Sequence, residues 1–254
     1  MSGFTALVLA GTRTTSGEGL NTASQLKAAM PLAGVAMINR VIAALSASKH
    51  IVRIVVCGPP ELGAWTNVEF FPPAASPARS TLAFFENHIA KAPLLVTTAD
   101  HALLTTEMVD HFCEATLDQG GDLTVAMADK AKVLAAHAGT RRTGYPFRDG
   151  AWCSCNMFGM LTPKVAKLIA FWRYVEENRK KPWKVISAFG WLSLMGVILR
   201  VWTLRAAFRR GGARFGVVVS PVIMPWTDAA IDVDTLGDKT LVESILTTRL
   251  LPAE

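Results

Sequence analysis

Four short apolar runs, each stopping at a small or acidic residue, constrain this chain more than anything else in it. They are TALVLA (5–10) before Gly11, IVRIVVCG (51–58) ending on Gly58, PLLVTTAD (93–100) ending on Asp100, and DLTVAMA (122–128). Runs of this length without polar alternation read as strands buried on both faces. Between them lie stretches of helical spacing: 37–48, 78–90, and MVDHFCEATL from Met108, for which Thr105 or Thr106 is a ready N-cap. Strands alternating with helices at this spacing predict an α/β fold with a doubly wound, mostly parallel sheet. A hydrophobic content of 51% against 18% charged residues supplies a large core and excludes a disordered chain.

The order is less regular after residue 130. AWCSCNMFGML (151–161) reads as a strand beside the site, and 163–180 as a helix that Pro182 ends. GVVVSPVIM (216–224) and AAIDVD (229–234) read as late strands, and DKTLVESILTTRLL closes the chain as a helix. The expectation is one domain over 1–254 that carries an apolar, basic helical insertion at 163–215. The four cysteines match neither a zinc pair nor a disulfide scaffold, and read as reduced thiols of a cytoplasmic protein. The N-terminus lacks a basic region before its short apolar run and reads as a first strand rather than a signal peptide.

In a parallel sheet, ligands bind outside the carboxyl ends of the strands. Three polar features fall there. Gly11, Thr12, Arg13 and then Lys27 follow the first strand, offering backbone donors and positive charge to a phosphate. The loop is neither a P-loop nor GxGxxG. Asp100 ends an apolar strand, where it either binds a hard divalent ion such as Mg²⁺ or caps the next helix. In AIDVDT (230–235), strand alternation would put Asp232 and Asp234 on one face, and one of the two could join Asp100 on a metal. In GTRRTGYPFRDG (139–150), Arg141 and Arg142 suit a phosphorylated acceptor, or else form a solvated basic hairpin.

Here the chain resembles a known family. The LAG loop with Thr12 and Arg13, then Lys27 and the run Pro31, Gly34, Met37, Ile38, looks like the N-terminal signature of MobA-like nucleotidyltransferases with a GT-A, Rossmann-like fold. LLVTTADHALLT resembles that family's D-x-P-L-L segment, with Ala102 in place of Pro, and IDVDTLGDKTLVE its D-x-D-T-P-E-D-L segment, with Leu236 in place of Pro. Ala36 also replaces a usual Pro. The resemblance implies an Mg²⁺-dependent enzyme that transfers NMP from an NTP, with CTP or GTP favoured, to a phosphorylated acceptor with release of pyrophosphate. Carried over by position, Ala10, Gly11, Thr12, Arg13 and Lys27 would hold the triphosphate, and Gly58, Ser80 and Thr81 would lie near base and ribose. Arg13, Lys27 and Asp100 would be catalytic, and Asp100 and Asp234 would hold the metal, with Asp232 as rival. Asn156 would join Arg141 and Arg142 on the acceptor side. His101 reads as structural.

Between Lys164 and Arg214, twelve Lys/Arg stand against two Glu, a charge of +10; the rest of the chain is then −4, since the whole is +6. The apolar run at 185–199 is shorter than the ~20 residues a bilayer span needs. With Trp183, Trp191, Trp202 and basic flanks it suits an interfacial helix, placing 183–214 peripherally on the inner membrane face and pointing to a lipid-headgroup acceptor; a buried hairpin or a contact between copies is the alternative. Nucleic acid is a poor partner for basic residues interleaved with long aliphatic runs. Two competing functions remain: a GT-A glycosyltransferase, and a non-catalytic nucleotide-binding protein associated with membranes.

Overall fold

The computed structural model describes residues 3–11, 26–88, 93–178 and 199–250. The four apolar runs are strands: β1 (Phe4–Leu9), β4 (Ile51–Cys57), β6 (Leu94–Thr98) and β7 (Leu123–Asp129). The predicted helices are α1 (Met37–Ala47), α2 (Pro77–His88) and α3 (Thr106–Gln119). Thr105 caps α3 by accepting from the Met108 amide, so Asp100 is not that helix's cap. The turn at 31–34 joins two short strands, β2 (Pro31–Leu32) and β3 (Val35–Ala36), through Ala33 and Gly34 at φ 45° and 79°. Positive φ at both turn residues is the hairpin geometry that matches strand twist.

The remaining elements are β5 (Val68–Phe71), α4 (Lys130–Ala136), β8 (Tyr145–Phe147), β9 (Gly150–Met160), α5 (Ala166–Asn178), α6 (Leu204–Ala213), β10 (Val219–Ile223) and α7 (Leu236–Leu250). The main sheet runs β10-β7-β9-β6-β1-β4-β5, with β8 on β9. β1, β4, β5 and β6 are mutually parallel neighbours, as are β7 and β10, while β9 runs antiparallel between β6 and β7. The sheet is therefore mixed but mostly parallel. Both faces are covered, because alternate residues of β1 enter different cores: Ala6 and Val8 pack with α1 and α3, Leu7 with Phe84 and Phe85 of α2.

One expected strand is corrected. Residues 231–234 form no strand: after a 3-10 turn at Thr227–Ala230 the chain runs as a connection into α7. The Val233 amide is taken by the carbonyl of Asp100 rather than by a sheet ladder. Asp232 and Asp234 therefore do not share a strand face. Within the expected insertion, α5 and α6 are helical; most of the apolar run at 185–199, with Trp183 and Trp191, lies outside the described residues.

Candidate active site

The chain leaves β1 for β4 on one side and returns to β6 on the other, so the carboxyl end of β1 is the topological switch point. Ala10 and Gly58 meet there. A Cβ on Gly58 would fall 3.1 Å from the Ala10 Cβ and 3.2 Å from its carbonyl oxygen, so glycine allows the two strand ends to close up. Gly11 is exposed beside them; Thr12 and Arg13 lie outside the described residues. Ser80 and Thr81 are buried in α2, where the Ser80 hydroxyl accepts from the Ala74 amide. Ser80 thereby ties down the loop after β5, and neither side chain faces solvent.

Three residues far apart in sequence meet beside this point. The Lys27 ammonium, on a 3-10 turn before β2, donates to Asp100 Oδ2 at 2.9 Å and to Asp234 Oδ1 at 2.7 Å. Burial alone would lower the lysine's pKa, but the two carboxylates outweigh it and hold the ammonium above its ordinary value. Asp100 Oδ1 is buried and has no hydrogen-bond partner. Next to it, His101 is buried, and burial pushes its pKa down to about 4, so the ring is neutral. Its ring faces the Ala229 backbone without a hydrogen bond of normal geometry, in keeping with a structural role.

Asp232 is held differently. Arg142 pairs with its Oδ1 and donates to its carbonyl at 3.1 Å, while Asn156 Nδ2 donates to its Oδ2 at 3.2 Å. Burial pushes the Asp232 carboxyl up, opposed by Arg142 and reinforced by Asp100 and Asp234. Arg142 also donates to Asp238 Oδ1 at 2.5 Å, and Asp238 Oδ2 accepts from the Thr235 amide at 2.9 Å, closing the first turn of α7. Asn156 sits at φ 51° where the β7–β9 register slips, and this bulge turns its side chain toward the site. Asp238 and the pairing of Arg142 with the aspartates are the parts that sequence reasoning missed. The T-x-x-D spacing of Thr235 and Asp238 was the available signal for the first.

A cleft of 380 Å³ opens beside these groups, with Arg141, Thr143, Tyr145, Ser154 and Thr235 in its wall. A larger cleft of 570 Å³ lies at the amino ends of β4 and β5, away from the switch point, and its main charged feature is the Arg53–Glu69 pair. Among the described residues no group of three or more His, Cys, Asp or Glu is assembled to hold a metal.

The model of the MobA-like NTP transferase domain matches residues 6–155, which is 150 of the 254 residues. The chain belongs to that family. It is thereby a nucleotidyltransferase-type protein, and the matched stretch carries Lys27 and Asp100. No curated protein matches the chain. Among solved structures, a hypothetical transferase from Thermus thermophilus is similar at a TM-score of 0.74 and 25% identity, over 93% of this chain and 99% of that one. The 2-C-methyl-D-erythritol 4-phosphate cytidylyltransferase from Thermus thermophilus shares the fold at a TM-score of 0.55 and 14% identity, over 97% and 100%. So does a CMP:2-keto-3-deoxy-manno-octonic acid synthetase complexed with CTP, at 0.57 and 10%, over 98% and 99%.

Proposed function

We propose that this nucleotidyltransferase transfers NMP from an NTP to a phosphorylated acceptor, releasing pyrophosphate. The observation that carries the reading is the Lys27 ammonium bridging Asp100 and Asp234 at the switch point. A cation already lies between two carboxylates at the place where a parallel sheet binds nucleotide.

The residues fit Mg²⁺. Their donors are hard oxygens, and the buried, unpartnered Asp100 Oδ1 lacks the contact that a cation would give it. Asp100 and Asp234 would hold the ion, which supplies neutralisation of the triphosphate charge. Asp234, whose side chain is 63% exposed, is the better second ligand, since both oxygens of Asp232 already accept from protein donors.

The chain's own residues then do the following. Lys27 follows the triphosphate and offsets the charge that develops on the leaving pyrophosphate. The Gly11 amide, with Thr12 and Arg13, binds the phosphates, while the Ala10 amide is held by the Cys57 carbonyl and Gly58 lets the ends of β1 and β4 close up beside the base. Arg141 draws the acceptor phosphate into the 380 Å³ cleft, holding its oxygen in line with the α-phosphorus. An ionised acceptor phosphate needs no general base. CTP or GTP is the favoured substrate; the cytidylyltransferase name of one neighbour and the CTP bound to another support trying CTP first.

We read 1–254 as one such domain with 163–215 as its insertion. Among the described residues no helix is long and apolar enough to cross a membrane. A peripheral contact with an anionic lipid surface through 183–214 is supported by exposed Arg205, Arg209 and Arg210 on α6, beside an apolar groove of 360 Å³ between α5 and α6. Flotation with anionic liposomes tests it; protein remaining wholly in the soluble fraction would remove the contact.

The function itself is tested by a pyrophosphate-release screen of the four NTPs against phosphorylated alcohols and sugars with Mg²⁺. Release that requires both an NTP and a phosphorylated acceptor is expected. Transfer from a nucleotide-sugar without pyrophosphate release would overturn the reading.

A further inference from the structure

We propose that Arg142 and Asn156 are positioning residues for the second carboxylate of the cation site and do not touch the acceptor. The inference rests on the function proposed above and changes the role that sequence alone suggested for these two residues.

The donors of Arg142 are largely occupied. A guanidinium has five N–H groups. In Arg142, Nε donates to Thr140 Oγ1 at 3.2 Å, Nη1 to Asp232 Oδ1, and Nη2 to the Asp232 carbonyl and Asp238 Oδ1. Four donors are used, so no free pair remains to fork onto a phosphate. The Arg142 side chain is only 8% exposed. The Asn156 carboxamide faces Asp232 from the other side, and the left-handed backbone at that residue aims it there.

What this framework holds is the segment carrying Asp234. Asp232 is pinned by Arg142 and Asn156. The Asp234 amide donates to Asp238 Oδ2 at 3.2 Å, and Asp238 is itself tied to Arg142. Asp234 therefore sits between two anchored neighbours, and its carboxylate is left to face Lys27 and Asp100. Asp100, Asp232, Asp234 and Asp238 against Lys27 and Arg142 give a formal −2, and removing Arg142 makes it −3; that change alone would tighten a cation's binding, so weaker binding in an Arg142 variant reports lost positioning. Groups that orient a metal's ligands typically tune affinity about 10–100-fold when removed.

The test measures Mn²⁺ binding by EPR, in the presence of whichever NTP the wild type uses, for wild type, Arg142→Lys, Arg142→Ala and Asn156→Gly. Glycine suits the positive φ at 156, so that variant removes the carboxamide without straining the backbone. The expected result is Mn²⁺ binding weakened about tenfold or more in each variant. The acceptor KM at saturating metal and NTP should stay within about twofold, with partial rescue of Arg142→Ala by added guanidinium ion. An acceptor KM raised tenfold with unchanged Mn²⁺ binding would overturn the proposal, as would folded variants unchanged in both. If Arg142→Ala does not fold, Asn156→Gly decides by the same readouts. A wild type that binds no Mn²⁺ with any NTP would instead sink the nucleotidyl-transfer reading, and this inference with it.

Discussion

The backbone N–H of Val233 donates to the carbonyl of Asp100 at 3.1 Å, fastening the connection before α7 to the carboxyl end of β6. Together with the Arg142, Asn156 and Asp238 contacts around it, this bond brings the third aspartate of the site, Asp234, within reach of the first. Lys27 then closes the gap between their side chains. Backbone and side-chain contacts thus assemble the candidate site before any ligand contributes.

Replacing Asp100 by Asn should leave folding intact, because the Val233 bond uses the backbone of Asp100 and not its side chain. Turnover should fall at least about a hundredfold, as expected when a charge-stabilising interaction worth several kcal/mol is lost. Pyrophosphate release, measured beside thermal unfolding, checks both halves. Activity near that of wild type would take Asp100 out of the chemistry.

Lys27→Met removes the ammonium between two carboxylates whose side chains are 23% and 63% exposed. The variant without metal should lose on the order of 1 kcal/mol, because the partly buried Asp100 is left uncompensated. Mn²⁺ should then raise its melting temperature more than that of wild type. An equal metal-induced shift in both proteins would mean that lysine and metal do not share the carboxylates.

Much of the sheet could be read from the chain, for a physical reason. Buried on both faces, β1, β4, β6 and β7 need continuous apolar runs, and few other elements of this length do. β5 (VEFF) carries a charge within a short edge strand, and α4 has only seven residues, so neither shows a clear period. The aspartate alternation at 232 and 234 imitated a strand because a period of two also arises by chance in a connection. Asp100 stood out because a carboxylate ending an apolar strand is costly without a partner, whereas Lys27 and Asp234 stood out by the family resemblance, and the structure brings the three side chains together. The aspartate partners of Arg142 were not legible, since they lie 90 and 96 residues away in sequence.

Asp122 offers a test of stability away from the site. Its carboxylate accepts from the Thr162 hydroxyl at 2.5 Å and the Val218 amide at 2.8 Å, joining the starts of β7 and β10 to the end of β9. Burial would raise its pKa, but these two bonds and Lys164 outweigh it and hold the carboxyl below its ordinary 3.8. A depressed folded pKa contributes stability above the unfolded value, and that stability is lost as the pH falls through the folded one. Asp122→Asn should therefore cost about 1–3 kcal/mol at pH 7. The difference from wild type should shrink below about pH 4. Urea unfolding at the two pH values measures it, and a pH-independent difference would count against the ionised carboxylate.

All four cysteines are buried and free. Burial pushes each thiol up, Cys113 to about 12, so none carries thiolate at neutral pH. A thiol reagent should label none of them in the native protein and all four in denaturant. Fast labelling under native conditions would mean that a core strand opens readily.

The most direct test is a crystal structure with Mn²⁺ and a non-hydrolysable NTP analogue, read by the metal's anomalous signal. One peak bound by both Asp100 and Asp234 is expected, with Lys27 turned from the carboxylates onto the phosphates. A peak elsewhere, with Lys27 still bridging the two aspartates, would contradict this metal site.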